Sequence, residues 1–132
     1  NLALFQALCR LGGELVALHL LESPIFEQIN EYSRFVGGGG LPTVGKSHPK
    51  YADGKVYVNE SDHFEGVPQT VWDFHVGGYQ VCHKWLKDRR GRQLSEEDIT
   101  HYQKIILALS ETIRIMGEID QVIEQHGGWL IQ

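Results

Sequence analysis

The amino-acid pattern predicts an α+β, mainly helical domain, with two long amphipathic helices packed with a small antiparallel β-hairpin or sheet. Leucines recur at helical spacing near the N-terminus, and isoleucines and leucines do so again after Ser95. Between them an Asp-Gly turn signal is flanked by alternating apolar residues. A chain of 132 residues suits one compact domain rather than two.

The first helix is predicted over residues 2–22. Leu4, Leu8, Leu11, Leu15 and Leu18 share one face, widened by Ala7, Val16 and Leu21. Gly12 and Gly13 interrupt it at roughly 1 kcal/mol each relative to Ala, a cost that close approach of a second helix would offset. Ser23-Pro24 ends it, because the residue before Pro avoids the helical region. SPIFEQINEYSRF is read as adding a short helical turn, and Gly37 to Gly40 as a flexible joint.

GLPTVGKS (Gly40 to Ser47) matches a phosphate-binding loop literally. The match is rejected: Pro42 is awkward in a backbone cradle, no hydrophobic strand precedes it, and Pro49 interrupts the helix that must follow. YADGKVYVN reads as a hairpin turning at Asp53-Gly54. Val56 and Val58 form its core face, while Lys55, Tyr57 and Asn59 alternate to the other side.

Pro68 opens a short helix, followed by the core residues Val71, Trp72 and Phe74. Gly77-Gly78 permits a tight turn. Val81, Trp85 and Cys82 then have helical spacing, closed at Arg90-Gly91. Ser95 caps the last helix, with Glu96, Glu97 and Asp98 at the positive end of its dipole. Ile99, Tyr102, Ile106, Leu109, Ile113 and Met116 form its stripe, with Ile123 further on, and the helix is expected to end near Gly127-Gly128. Asp120 falls on the stripe where an apolar residue was due. The first and last helices are expected to pack antiparallel, with the hairpin and the Trp segment at one end.

No apolar run approaches the ~18 residues of a membrane span, so no membrane contact is expected. The chain opens at Asn1 inside an apolar periodic segment, which reads as a domain cut from a longer polypeptide. Two cysteines, Cys9 and Cys82, make no disulfide framework, and a reducing, cytoplasmic setting fits. The net charge of −5 argues against nucleic acid at first sight. Its distribution softens this: residues 43–92 hold 8 basic and 6 acidic groups, and residues 93–132 hold 2 and 7. The densest basic piece is KWLKDRRGR, and charge alone reads it as a solvated face.

No catalytic pattern stands out. The seven histidines form no HxH, HExxH or Cys/His cluster, so no metal is expected. Cys82 and His83 are adjacent in a predicted helix, where neighbours point about 100° apart and cannot share a proton. No catalytic residue is therefore expected. Trp72 and Trp85 are assigned to the core, and Tyr57 and Tyr79 are the better candidates for exposed rings.

Four stretches carry a resemblance. KVYVNESDHFEGVP, VWDFHVGGYQVCHKWLKDRRGR and LSEEDITHYQKIILALSETIRIMGEID, preceded by LGGELVALHLLE, resemble the C-terminal segment of the type ISP restriction-modification enzymes and related DNA methyltransferases. The resemblance covers most of the chain and is weakest from Glu27 to Thr43. It implies a target-recognition domain that reads double-stranded DNA beside a methyltransferase domain of the same polypeptide. It further implies that this partner flips an adenine and transfers a methyl group to it from S-adenosylmethionine, with a nuclease-helicase upstream in the full enzymes. This chain has no Asn-Pro-Pro-Tyr/Phe motif, so methyl transfer falls to the partner domain and no cofactor is expected here.

Under that resemblance Lys46, Lys50, Lys55, Lys84, Lys87, Arg89, Arg90 and Arg92 become phosphate-contact candidates. Tyr57, Asn59, Tyr79 and Gln80 become base-reading or positioning candidates. A second assignment stays open: GGYQ and KWLKDR hold the scaffold, and loops such as Gly37 to Asp53 read bases. The leading expectation is a largely monomeric DNA-recognition module. The alternative is a protein-interaction or assembly module using the two apolar stripes.

Overall fold

The computed structural model describes residues 2–19, 27 and 33–125. In chain order these form α1 (Leu2–His19), β1 (Arg34–Val36), β2 (Lys50–Ala52), β3 (Lys55–Tyr57), β4 (His63–Glu65), α2 (Gln69–Trp72), β5 (His75–Val76), β6 (Tyr79–Gln80), α3 (Val81–Lys87) and α4 (Glu96–Gln125). The α+β, mainly helical class is as predicted. Among the described residues no helix is long and apolar enough to cross a membrane.

The predicted hairpin is β2–β3. Asp53 (φ 47°) and Gly54 (φ 78°) form its turn, a pair of positive φ values that Asp-Gly tolerates. The hairpin is half of a four-stranded antiparallel sheet in the order β1-β4-β3-β2. Register divides its residues between two faces. The row Phe35, Phe64, Val56, Tyr51 faces the core, and the row Val36, His63, Tyr57, Lys50 faces away.

The inner row packs on α2 and α4. Val56 and Phe64 are fully buried, Phe64 meets the ring of Tyr102 at 4.6 Å, and Tyr51 stacks on Trp72 at 5.3 Å. Tyr102 keeps its phenol satisfied by donating to the Cys82 carbonyl at 2.8 Å. Ser95 Oγ accepts the Asp98 N–H at 3.0 Å, and Asp98 Oδ2 accepts the Ser95 N–H at 2.9 Å, a reciprocal cap that starts α4 as expected. Pro68 stands one residue before α2, and Gly77-Gly78 turns the β5–β6 hairpin.

α1 and α4 pack together through Leu11, Leu107 and Ile115, with an ion pair from Glu14 to Arg114 at 3.3 Å. α4 thus buries two faces, one on the sheet layer and one on α1. Gly12 and Gly13 do not mark a close approach: among the described residues, a methyl group built on either meets no atom within 4 Å. Met116, expected in the core stripe, is 47% exposed, because α2 and β5 flank a groove there rather than covering it. Trp85 is half-buried rather than core, its ring capped by Arg89.

Arg34–Val36 extends as an edge strand where a helical turn was expected. The rest of that turn, the Ser23-Pro24 stop, the side chains of Leu15, Val16, Leu18 and Leu21, and the Gly127-Gly128 stop lie outside the described residues. Within the glycine run, a methyl on Gly37 would fall 2.7 Å from the Phe35 ring, and the Gly38 N–H donates to Asp62 Oδ1 at 3.0 Å.

Candidate nucleic-acid interface

The basic candidates come from two segments that the fold brings together. The Val44 N–H donates to the Arg92 carbonyl at 3.0 Å, and the Gly91 N–H returns to the Val44 carbonyl at 2.8 Å. Thr43 and Gln93 form a β-bridge, and the Leu94 N–H reaches the Pro42 carbonyl at 2.7 Å. Gly91 (φ 78°) makes the turn after α3 that presents this edge. The same bonds dispose of the GKS match. The Val44 and Gly45 amides donate to Arg92 and Val58, and so cannot cradle a phosphate.

Side chains complete the junction. Arg90 Nε donates to the His48 carbonyl at 2.6 Å. His48 is only 6% exposed, and its imidazole fills the space a side chain on Gly45 would take. Burial, then Lys50 and Arg90, hold its pKa below 6.5 against the opposing pull of Glu60. Burial, then Arg90 and Lys87, lower His83 in the same way. Arg90 thus acts on both rings, Lys50 on His48 alone and Lys87 on His83 alone. Lys46 and Arg92 lie exposed on the two joined segments.

Helical geometry sorts the basic residues of α3 and its following turn. His83, Lys87 and Arg90 fall on one side, at spacings of four and three. Arg89 falls with Trp85: its guanidinium lies 3.7 Å from the ring centre, and Nη1 donates to the Trp85 carbonyl at 2.9 Å. Lys84 pairs with Asp88 at 3.0 Å and lies 5.0 Å over the Tyr79 ring. Cys82 is buried, with its thiol pushed up to about 12 by desolvation, so it is no nucleophile at neutral pH. Among the described residues no group of three His, Cys, Asp or Glu side chains is placed to hold a metal.

A family model described as the type ISP C-terminal specificity domain matches residues 1–118. The chain belongs to that family. No curated protein and no solved structure matches it.

Within this specificity domain the sequence candidates part company. Lys46, Lys50, Lys87, Arg90 and Arg92 are all exposed on or next to the two segments joined at Val44 and His48, and this basic junction is termed the ridge. Lys55 lies at the opposite end of β3 from Tyr57, half-buried in a shallow hollow with Tyr51, Asp53 and Glu65. Tyr57 lies beside His63 on the outer sheet face, ring centres 5.0 Å apart. Asn59 is occupied as a loop staple. Its Nδ2 donates to the Thr43 carbonyl and Asp62 Oδ2, and its Oδ1 accepts the Ser61 and Asp62 N–H groups. Gln80 is likewise occupied, donating to the Trp72 carbonyl at 2.6 Å. Tyr79 is free of the core at 59% exposure.

Sequence reasoning missed His48, His63 and His83. The alternation His63, Phe64, Glu65 was a legible signal for His63, with Phe64 inward and its neighbours outward. No local pattern marks His48, whose carbonyl Arg90 reaches from 42 residues away, whereas His83 shares its helix side with Lys87 and Arg90 at a spacing that was legible.

Proposed function

We propose that this domain recognises the DNA target of a restriction-modification type adenine-N6 methyltransferase. Support comes from the specificity-domain family and from the ridge on which Lys46, Lys50, Lys87, Arg90 and Arg92 meet in an otherwise acidic chain. The ridge contacts phosphates of duplex DNA, while the outer sheet face and the β5–β6 hairpin stand beside it to meet bases. The catalytic step belongs to a methyltransferase domain of the same polypeptide, which holds S-adenosylmethionine, and no residue of this chain is assigned to that cofactor. In this reading the protein works in the cytoplasm as a monomer.

One observation favours the competing reading of a protein-interaction module. A groove of about 590 Å³ between α2, β5 and α4 is lined by Asp73, Phe74, Ile113, Met116 and Asp120, and it is both apolar and acidic. In the recognition reading the methyltransferase domain seats there. Mapping N6-methyladenine in host DNA tests the choice. Replacing residues 1–132 by a relative's segment moves methylation to a new motif if this is a recognition domain. An unchanged motif, with mass rising with concentration, favours assembly.

A further inference from the structure

The β5–β6 hairpin carries an apolar tip that the basic ridge does not explain. Val76 and Tyr79 face each other across the strands and are 56% and 59% exposed, so they form one open apolar patch. The base beneath them is fixed: Gln80 Nε2 holds the Trp72 carbonyl at 2.6 Å, and the Val81 N–H holds the Phe74 carbonyl at 3.3 Å. Gly77 (φ 59°) and Gly78 (φ 88°) make the turn, and among the described residues no atom lies within 4 Å of a methyl built on either. The hairpin is therefore anchored at its base, and its Gly77-Gly78 turn is clear of the described residues around it.

Its setting complements a duplex. Lys84 lies over the Tyr79 ring, and Lys87, one turn along α3, joins the ridge. Cations beside an apolar tip match phosphates beside a groove. Size favours the major groove: a two-stranded ribbon enters its width of about 12 Å directly, whereas the minor groove of about 6 Å must first be opened by deforming the duplex. Chemistry then selects the group read. Major-groove base edges carry hydrogen-bonding groups, apart from the C5 methyl of thymine, which is the apolar feature an aliphatic and aromatic pair can cover.

Building on the recognition reading, we propose that this hairpin enters the major groove and that Val76 and Tyr79 select thymine by its methyl group. The test uses the full-length protein and a duplex it enriches from a random-sequence pool. Replacing thymine by uracil, position by position, lowers wild-type affinity about fourfold at each methyl the tip covers. The double variant Val76→Ala/Tyr79→Ala binds the thymine and uracil duplexes alike, whereas Tyr79→Phe keeps the discrimination. Equal wild-type affinity for both duplexes, or discrimination surviving in the double variant, overturns the hairpin's role and leaves DNA recognition standing. If no duplex is enriched even at low salt, the recognition reading fails and the hairpin's role falls with it.

Discussion

Arg90 donates its Nε–H to the main-chain carbonyl of His48 across 42 residues of chain, at 2.6 Å. This hydrogen bond joins the turn after α3 to the segment before β2, and it fixes the direction of the Arg90 side chain at that junction. Arg90→Ala should cost about 1–2 kcal/mol, since a charged donor leaves a buried-side acceptor. Urea unfolding checks the stability, and duplex binding should weaken in parallel. Full stability in the variant would mean that the backbone bonds at Val44 suffice alone.

The ridge cations and Arg89 should behave differently. Replacing Lys46, Lys50 and Lys87 together by Ala should lower the slope of log affinity against log salt by about 0.9 for each phosphate that no longer meets a cation, with little change in stability. Arg89→Ala should leave that slope alone and cost about 0.5–1 kcal/mol of stability, because its guanidinium covers Trp85. An unchanged slope in the triple lysine variant would remove those residues from the interface.

Asn59 should support the site without reading it. Asn59→Ala removes the staple between Thr43, Ser61 and Asp62 and should cost about 1–3 kcal/mol. Affinity should fall equally for every DNA sequence, as a binding-site selection experiment would show. A changed preferred site would make Asn59 a base reader after all.

His48 and His83 set a pH dependence. Both folded pKa values lie below the ordinary 6.5, so in the window beneath 6.5 the unfolded chain binds more protons than the folded one. Their contribution is fully present above pH 6.5 and is lost as pH falls through that window toward the depressed values. Urea midpoints should therefore drop less between about pH 7.5 and about pH 5.5 for a His48→Gln/His83→Gln variant than for the wild type. Equal drops would assign the acid sensitivity to other groups.

The cap on α4 should act on stability alone. Ser95→Ala removes one half of the reciprocal pair with Asp98 and should cost about 1 kcal/mol. Thermal unfolding reads the loss. Duplex affinity measured well below the transition should match the wild type.

Much of the fold was legible because its signals are local. Asp53-Gly54 and Gly77-Gly78 fall at turns that need positive φ, and Ser95 with Asp98 marks a helix start within four residues. β1 was missed because three residues at a sheet edge carry too short a pattern to outweigh the helical spacing before them. Met116 was misplaced because a stripe cannot register where its covering layer stops: Ile113 still packs on the core, and Met116, one turn on, meets the open groove beside α2 and β5.

The order of elements, their caps and turns, the uneven charge and the family likeness all follow from residues read along the chain, since each depends on neighbours a few positions away. Which cations act together does not. Arg89 and Arg90 are adjacent, yet one lies on Trp85 and the other reaches His48, because successive residues on a helical turn point in different directions. Likewise Asn59 and Gln80 looked like free amides until packing brought carbonyls and a carboxylate within hydrogen-bond reach of them. Such partners are set by long-range packing, in which burial excludes water and leaves each polar group to find its hydrogen bond in whatever the fold places beside it.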